Sequence, residues 1–403
     1  MIKDIVNNHK KLGEKLKLFF FHRNTGLPIW LPNGIYLYNK IKFFLRKINL
    51  NNKYLEVSTP YIGNYSIYKK SGHINKYKNN IFEIKYKKKI YLKPMSCPYH
   101  CIIYKNFNNI SYKKLPIKLF EFGTVFRNEK HGELNGLFRS QVFTQDDGHI
   151  FCKNNKEVIN EINNIINIIK YIYKKFYIKK FYIRLSLKSL ENNNKYIGLK
   201  KNWEKSEKIL KYIIKINNVK YKIIYGDAAF YGPKIDFIIK DSINREWQLS
   251  TIQIDYNTPK KFNLKYINKY NKIYTPIMIH RAYLGSIERF IGILIESTSG
   301  NLPFWLLKVQ IVIIPVYNSN HIYILKIYKK LKKNKIRCYI DNSKNNINIK
   351  IKKYEKLNIP IIILVGNKEI ANNKIFIRQK NKRLNISLKE GYKYILNYIY
   401  NNK

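Results

Sequence analysis

The sequence predicts an α+β domain over residues 1–306, followed by a smaller α/β domain over residues 307–403. Three observations lead there. A chain of 403 residues exceeds what one hydrophobic core ordinarily serves. Up to Asn301, strand-like stretches, one pair of them a hairpin, are interrupted by a long helical pattern and closed by another. Between Asn301 and Leu306 the character changes, and from Val309 onward apolar runs alternate with basic helical patterns. That alternation is the mark of a compact α/β module of about a hundred residues.

Taken in order, two helix-like stretches flank a loop rich in Gly and Pro from Thr25 to Gly34, the second running from Ile35 to Arg46. Tyr54 to Pro60 reads as a short strand closed by proline, which lacks the N–H a ladder needs. Ile81 to Leu92 alternates as a hairpin with lysines at its turn. Lys118 to Arg127 and Phe138 to Thr144 are strand candidates joined by a polar loop containing Glu129, Gly132 and Gly136. Lys156 to Lys175 repeats apolar residues at helical spacing. Strands are expected at Phe181 to Leu187, Lys222 to Ile224, Ile235 to Lys240 and Glu246 to Asp255, and a helix at Ile287 to Ile295 after a glycine. In the second domain the apolar runs are Gln310 to Val316, Ile361 to Val365 and Lys374 to Arg378. Asn/Lys clusters such as Lys344 to Asn348 read as solvated loops, and no internal repeat is evident.

Composition narrows the function classes. Hydrophobic residues make up 45% of the chain, ample for packed cores and contrary to disorder. Lys+Arg number 77 against 25 Asp+Glu, a formal net charge of +52. A field of that sign attracts polyanions, nucleic acid first among them. The abundance of Ile, Asn, Lys and Tyr together also matches a coding sequence rich in A and T, so mutational bias competes with RNA binding as the cause. Four scattered cysteines, Cys97, Cys101, Cys152 and Cys338, do not form a disulfide framework, which points to a reducing compartment. The N-terminus lacks a signal-peptide pattern, and no apolar run reaches the eighteen or so residues of a membrane span. The expectation is a cytoplasmic protein with no membrane partner.

Two strings carry chemistry. Phe122-Gly-Thr-Val-Phe-Arg127-Asn-Glu129 is followed by a loop, then Arg139 and Phe143. An arginine at a strand end clamps a phosphate with its planar fork, and two arginines with an aromatic suit the phosphates and base of a nucleotide. Strand-end arginines also serve as surface ion pairs, and that reading stays open at this point. Gly285-Ser-Ile-Glu288-Arg289-Phe-Ile-Gly292 stands at a strand-to-helix junction. Small residues there let a ligand approach the backbone, and the arginine can reach phosphates or cover a purine face. A plain helix start with an exposed ion pair is the competing reading.

Together these strings resemble the second and third signature motifs of class II aminoacyl-tRNA synthetases, and Tyr54 to Pro60 with its preceding helix resembles the first, which builds the dimer interface in that class. The resemblance continues through Lys93-Pro-Met-Ser-Cys97-Pro, Thr144-Gln-Asp-Asp147-Gly-His149-Ile-Phe, Ala229-Phe-Tyr231-Gly-Pro-Lys234-Ile-Asp and Met278-Ile-His280-Arg-Ala. These strings, in this order, are similar to those of the threonyl-tRNA synthetases. The resemblance implies a catalytic domain built on a mixed, mainly antiparallel sheet, followed by an α/β anticodon-binding domain.

It also implies a site. Cys97, His149 and His280 match the family's three zinc ligands, one Zn2+ per subunit. One thiolate and two imidazoles leave a fourth position open, as in a working rather than a structural zinc. Singly, Cys97 reads as a buried small hydrophobe and each histidine as a satisfied polar residue, and the off-pattern Cys101 and Cys152 read as core. The metal would bind the amino group and hydroxyl of threonine, which excludes valine for want of a hydroxyl, while serine differs only by a methyl worth about 1–3 kcal/mol. Asp147 would accept from the substrate hydroxyl, with Gln145 and Tyr231 helping to hold the amino acid. Arg127 would neutralise the α-phosphate of ATP as the carboxylate attacks, and Arg139 would hold the γ-phosphate. Phe143 and Arg289 would sandwich the adenine, with Mg2+ on the triphosphate. Glu129, Lys234 and Gln253 would line the same pocket. His73, in Ser71-Gly-His73, matches a histidine thought to assist transfer to tRNA, a task suited to a near-neutral pKa.

In the second domain Gly366-Asn-Lys-Glu369 and Lys374-Ile-Phe-Ile-Arg378 are the best-matching strings, with Glu369 and Arg378 as candidate readers of anticodon bases. An ordinary surface pair is the alternative. The implied partners are tRNA(Thr), ATP, threonine and a second copy of the chain. The sequence departs from the family at Gly148, usually alanine, and at Gln141, often arginine, and a modest loss of efficiency is expected. Most bacterial-type relatives carry further N-terminal domains, one of which hydrolyses seryl-tRNA. The expectation here is no editing in cis. Two rivals remain: a prolyl or seryl synthetase on the same scaffold, and a synthetase-like RNA-binding protein that does not charge tRNA.

Overall fold

Strands rich in β-branched and aromatic residues build the larger of two compact units, Lys42–Ile293. The computed structural model describes residues 8–22, 26–76, 80–84, 89–189, 196–241, 244–316 and 321–401. Eight strands form the main sheet: β1 (Leu55–Glu56), β2 (Ile117–Phe126), β3 (Val142–Cys152), β4 (Phe181–Leu187), β5 (Tyr221–Tyr225), β6 (Lys234–Lys240), β7 (Glu246–Asp255) and β8 (Ile277–Ser286). Their order is β5-β4-β6-β7-β8-β3-β2-β1. The six inner strands pair antiparallel throughout, and β5 and β1 are added parallel at the two edges. The sheet is thus mixed and mainly antiparallel, as the motifs implied.

Position in the sheet follows burial. From Asp146 to Cys152, β3 is buried at every residue, and β8 is buried from Ile277 to Leu284, as strands covered on both faces must be. All five residues of the edge strand β5 are exposed. The longer helices here are α1 (Pro32–Asn51, which enters this unit at Lys42), α2 (Cys97–Asn106), α3 (Asn155–Lys175), α4 (Lys200–Ile216) and α5 (Ile287–Ser297, which belongs to this unit as far as Ile293). In α3 the Asn154 side chain caps the Glu157 N–H at 2.9 Å, and Val158, Ile162, Ile165, Ile166, Ile169 and Ile172 bury one face.

Several boundaries differ from the sequence reading. Helix α1 starts at Pro32, inside the expected loop, because proline is pre-shaped for a first helical turn. The strand expected at Tyr54 to Pro60 shrinks to Leu55–Glu56. The strand expected at Phe138 to Thr144 begins four residues later and continues to Cys152. The hairpin is present, pairing Glu83 with Tyr91 and Ile84 with Ile90, and its lysine turn at 85–88 lies outside the described residues. Helix α4 has no counterpart in the sequence reading, although Trp203, Ile209, Leu210, Ile213 and Ile214 bury its inner face.

The second unit combines Pro28–Ile41 and the described part of Met1–His22 with the chain from Leu294 onward. Its sheet contains β9 (Ile311–Pro315), β10 (Cys338–Ile340), β11 (Ile361–Val365), β12 (Lys374–Gln379) and β13 (Lys382–Ser387), in the order β10-β9-β11-β12-β13. The first three are mutually parallel and the last two antiparallel. One face packs against α6 (Ile322–Lys333) and α8 (Leu388–Asn401), the other against α7 (Ile347–Lys356). Ile311, Ile313, Ile361 and Ile363 fill the first layer, and Val312, Ile314 and Ile362 the second. Helices on both faces of a largely parallel sheet make this an α/β module.

Candidate active site and metal centre

The inner strands bring distant polar residues onto adjacent rungs. In the pairing of β8 with β3, His280 stands opposite His149, Arg281 opposite Gly148 and Ala282 opposite Asp147. Cys97, the first residue of α2, completes the group, and one ligand atom from each of Cys97, His149 and His280 lies within 4.8 Å of the others. Nε2 of His149 and Nδ1 of His280 approach to 3.0 Å. A tetrahedral zinc, with Zn–N of about 2.1 Å and Zn–S of about 2.3 Å, needs donors roughly 3.3–3.7 Å apart. The donor set therefore fits the ion with small adjustments.

The surroundings favour metal chemistry. All three residues are buried. Burial, aided by the neighbouring His100 and His280, pushes the His149 imidazole well below its ordinary pKa and so keeps it neutral. Burial likewise pushes the Cys97 thiol far up, with Asp147 adding to the effect, so a thiolate here calls for a cation beside it. The ring nitrogens turned away from the cluster are both engaged. His280 Nε2 lies 3.0 Å from Asp255 Oδ2, and His149 Nδ1 lies 2.8 Å from His100 Nδ1. Neither Asp255 nor His100 was singled out in the sequence. For His100 the signal was present, since Cys97-Pro-Tyr-His100 places it one helical turn from the first ligand.

Next to the cluster is a cavity of about 490 Å³ whose lining includes Gln145, Asp147, Tyr231, Lys234, Gln253 and His280. Gln145 Oε1 and Asp147 Oδ2 are buried there without a hydrogen bond, and buried polar atoms of that kind mark places where a polar ligand is read. Burial raises the Asp147 carboxyl above its usual range. The Tyr231 ring stacks on His280 at 4.8 Å, and its hydroxyl donates to Gln253 Oε1 at 2.5 Å. Lys234 sits at the rear, its Nζ 2.8 Å from Asp236 Oδ2 and 3.7 Å from Asp227 Oδ2.

A second cavity, of about 370 Å³, is lined by Arg127, Glu129, Arg139, Phe143, Trp247 and Arg289 among others. Arg127 and Gln145 line both cavities, so they stand where the two meet. The Arg127 guanidinium lies 5.1 Å from the centre of the Phe143 ring. Arg139 is held by Glu129 at 2.7 Å and by Glu133 at 3.1 Å. Arg289 is fixed by two carbonyls, Nε donating to Phe138 at 2.8 Å and Nη1 to Gln248 at 3.2 Å. Burial, then the charges of Arg127 and Arg139, lowers its pKa to about 10. Glu288 joins the two motif strings, taking the Thr144 N–H at 2.9 Å and the Ser286 hydroxyl at 3.0 Å. Gly285 adopts φ +62° and presses so close to the Leu249 carbonyl that a Cβ would sit 2.6 Å away, which only glycine tolerates. Trp247, beside Arg289, is a lining residue that the sequence reading missed.

His73 is placed differently from the expectation. It is 2% exposed, its Nδ1 is 2.7 Å from Ser71 Oγ and its Nε2 is 3.6 Å from Cys97 Sγ. Burial, then the neighbouring His280, lowers its pKa to about 3, so the near-neutral imidazole inferred from sequence is not what the fold produces. Gly148 leaves room for Arg281, since a Cβ there would stand 2.3 Å from the guanidinium carbon. The Gln141 carbonyl accepts the Arg127 N–H at 2.8 Å.

In the second unit, Glu369 takes the Gly366 N–H at 2.9 Å, its side chain reaching back to the start of its own short helix. Arg378 Nε donates to Glu355 Oε1 on α7 at 2.8 Å. Opposite Arg378 in the ladder stands Arg383, and opposite Phe376 stands Asn385, so a polar, basic set shares that face of the sheet.

Comparison with known proteins agrees with this geometry. Residues 80–298 match the family described as tRNA synthetase class II core domain (G, H, P, S and T), and residues 310–398 match the anticodon binding domain family. The threonine–tRNA ligase of Bacteroides fragilis is 43% identical over 381 residues, covering 93% of this chain and 59% of its own length. That of Azobacteroides pseudotrichonymphae is 42% identical, covering 93% and 58%. The chain thus spans less than two thirds of these curated relatives. A crystal structure of the RNA binding domain of threonyl-tRNA synthetase from Cryptosporidium parvum superposes with a TM-score of 0.86 at 35% identity, covering 96% of this chain and 97% of that one. A putative threonyl-tRNA synthetase from Aeropyrum pernix gives 0.80 at 29% identity, covering 94% and 91%. Core, anticodon module and relatives converge: the chain belongs to the threonyl-tRNA synthetase family of the class II tRNA synthetases.

Proposed function

We propose that the chain activates threonine with ATP and transfers it to the 3′ end of tRNA(Thr), the amino acid being read at a zinc ion held by Cys97, His149 and His280. The observation that carries this reading is the pair of adjoining cavities, one at the Cys/His/His cluster and one lined by arginines, with Arg127 and Gln145 at their junction. A zinc held by these three residues would supply a Lewis acid able to take the substrate amino group and hydroxyl. Asp147, near His149, accepts a hydrogen bond from the hydroxyl through a carboxylate oxygen that has no other hydrogen bond, and Gln145 and Tyr231 hold the amino acid. Arg127 faces both the attacking carboxylate and the α-phosphate, so it draws them together and offsets the charge that develops between them. Phe143 and the immobilised Arg289 take the two faces of the adenine, Arg139 and Glu129 stand at the triphosphate end, and Mg2+ accompanies ATP. Lys234 and Gln253 complete the amino-acid side, and His73 remains close enough to the cluster to act on the transfer step.

Partners and setting follow from the same reading. The α/β module presents Arg378 and Glu369 toward anticodon bases. Exposed Phe43, Leu50, Leu55, Tyr61 and Ile62 give the motif-one region an apolar surface suited to a homodimer. Among the described residues no helix is long and apolar enough to cross a membrane, and the proposed setting is the cytoplasm. The test is ATP–pyrophosphate exchange on zinc-assayed protein with threonine, serine, valine and proline. Exchange with threonine, weakly with serine and not with valine, is the expected result. Exchange with proline overturns the substrate, and none with any amino acid at full zinc occupancy favours a non-charging RNA-binding protein.

A further inference from the structure

We propose that His100 and Glu121 act as positioning residues for the metal centre, setting the tautomer of His149 through a one-way chain of hydrogens that ends on a buried carboxylate. The inference rests on the metal reading above. His149 and His100 share a 2.8 Å contact between their Nδ1 atoms. Two neutral imidazoles can share it only if one donates and the other accepts. His149 turns Nε2 toward the cluster, 3.0 Å from His280 Nδ1. A metal ligand must be a bare nitrogen, so the His149 proton belongs on Nδ1 and His100 Nδ1 accepts it. The His100 proton is then on Nε2, which lies 3.7 Å from Glu121 Oε1 and has no hydrogen-bond partner of its own.

Glu121 decides the direction. Its Oε1 accepts from the Thr59 hydroxyl at 2.8 Å and faces Lys93 Nζ at 3.5 Å, and its Oε2 accepts the Thr59 N–H at 3.0 Å. An ionised carboxylate so surrounded can only accept. In the opposite polarity a bare His100 nitrogen would face that carboxylate, a repulsion felt in full where His100 is 0%, Glu121 3% and Lys93 0% exposed. The His149 proton would then sit on Nε2, where it can bond to His280 Nδ1 but leaves no lone pair for a metal. Gly123 secures the room, since a Cβ there would stand 3.1 Å from Glu121 Oε1. His280 reaches the same end by a shorter route, its Nε2 meeting Asp255 directly at 3.0 Å. Each imidazole ligand therefore has its outer nitrogen governed by a carboxylate, one directly and one through a second imidazole.

The test measures zinc affinity of the full chain by competition with a chromophoric chelator, alongside visible spectra of the cobalt-loaded protein and thermal unfolding of the metal-free form. His100→Leu removes the acceptor and is expected to weaken zinc about 10–100-fold while the cobalt spectrum keeps its thiolate band. His100→Asn places a carbonyl oxygen near the lost Nδ1 and is expected to recover most of the affinity. Cys97→Ser serves as the reference that removes a ligand. If Cys97→Ser loses zinc and His100→Leu does not, the positioning role is overturned and the metal reading stands. If His100→Asn is as weak as His100→Leu, with metal-free unfolding unchanged in both, the acceptor role is overturned. If the wild type holds no zinc that depends on Cys97, the metal reading fails first and this inference with it.

Discussion

Removing the Asp146 carboxylate should destabilise the larger unit more than any surface change, and should loosen the metal site with it. Asp146 alternates with Asp147 along β3, so the two side chains leave opposite faces of the sheet. The Arg281 guanidinium, wholly buried, donates to Asp146 Oδ1 at 2.9 Å, and the Tyr283 N–H donates to Asp146 Oδ2 at 2.9 Å. Asn49 Oδ1 takes a second guanidinium hydrogen, and the rings of Tyr54 and Tyr283 lie 4.6 and 4.1 Å from the charge. Breaking one side of a buried pair costs about 3–5 kcal/mol, because the remaining charge has no water to return to. Asp146→Ala should therefore lower the unfolding free energy by that amount, and the urea midpoint by that amount divided by the unchanged slope. Arg281→Met combined with Asp146→Ala should recover part of the loss, since no unpaired charge then remains. The pair also staples the rung beside His149 and His280, so the zinc affinity of Asp146→Ala should fall in parallel. A loss below about 1 kcal/mol, or a double variant no better than the sum of its parts, refutes the reasoning.

Three further outcomes follow from the geometry. Arg127→Ala should lower the pyrophosphate-exchange rate about 10²–10³-fold with zinc content intact, as loss of one preorganised donor to developing charge does. Phe143→Ala should raise KM for ATP about 5–150-fold and leave KM for threonine nearly unchanged, since stacking a base is worth about 1–3 kcal/mol; equal shifts in both constants would count against an adenine site. Burial alone would raise the Glu121 carboxyl, but its polar neighbours, His100 first, then Ser96 and Lys93, outweigh it and hold the group at about 2 against an ordinary 4.5. A depressed carboxyl contributes stability that is complete above pH 4.5 and fades as the pH falls toward 2. Glu121→Gln should then be less stable by about 3 kcal/mol at pH 7, with the gap narrowing below pH 4.5 in urea titrations. A gap independent of pH would show that the loss is packing alone.

Much of the architecture was legible in local pattern. Ile361 to Val365, Phe181 to Leu187 and Glu246 to Asp255 form strands with the expected ends, and α3 differs by one residue, because their apolar periods agree with the faces they bury. The reading failed where local and global demands part. β3 continues through Gln145-Asp-Asp-Gly-His149, a polar stretch that breaks alternation, because the partners of those residues come from other strands. Helix α4 was overlooked among its six lysines, which line the outer face and dilute the apolar period.

The sequence by itself determined the order of motifs and the class of fold, and it named Cys97, His149, His280, Arg127 and Arg289 as candidates, because the short strings around them carry that information whatever the partners. Tertiary structure alone decided that His100 stands behind His149 and Asp255 behind His280, that Arg281 fills the space beside Gly148, and that His73 is sealed beside Cys97. Those contacts join residues from separate helices and strands, and they exist only in one register of the sheet. A slip of a single residue along β3 would turn His149, and one along β8 would turn His280 and Arg281, to the opposite face, and register is chosen by the packing of both faces together rather than by any one segment.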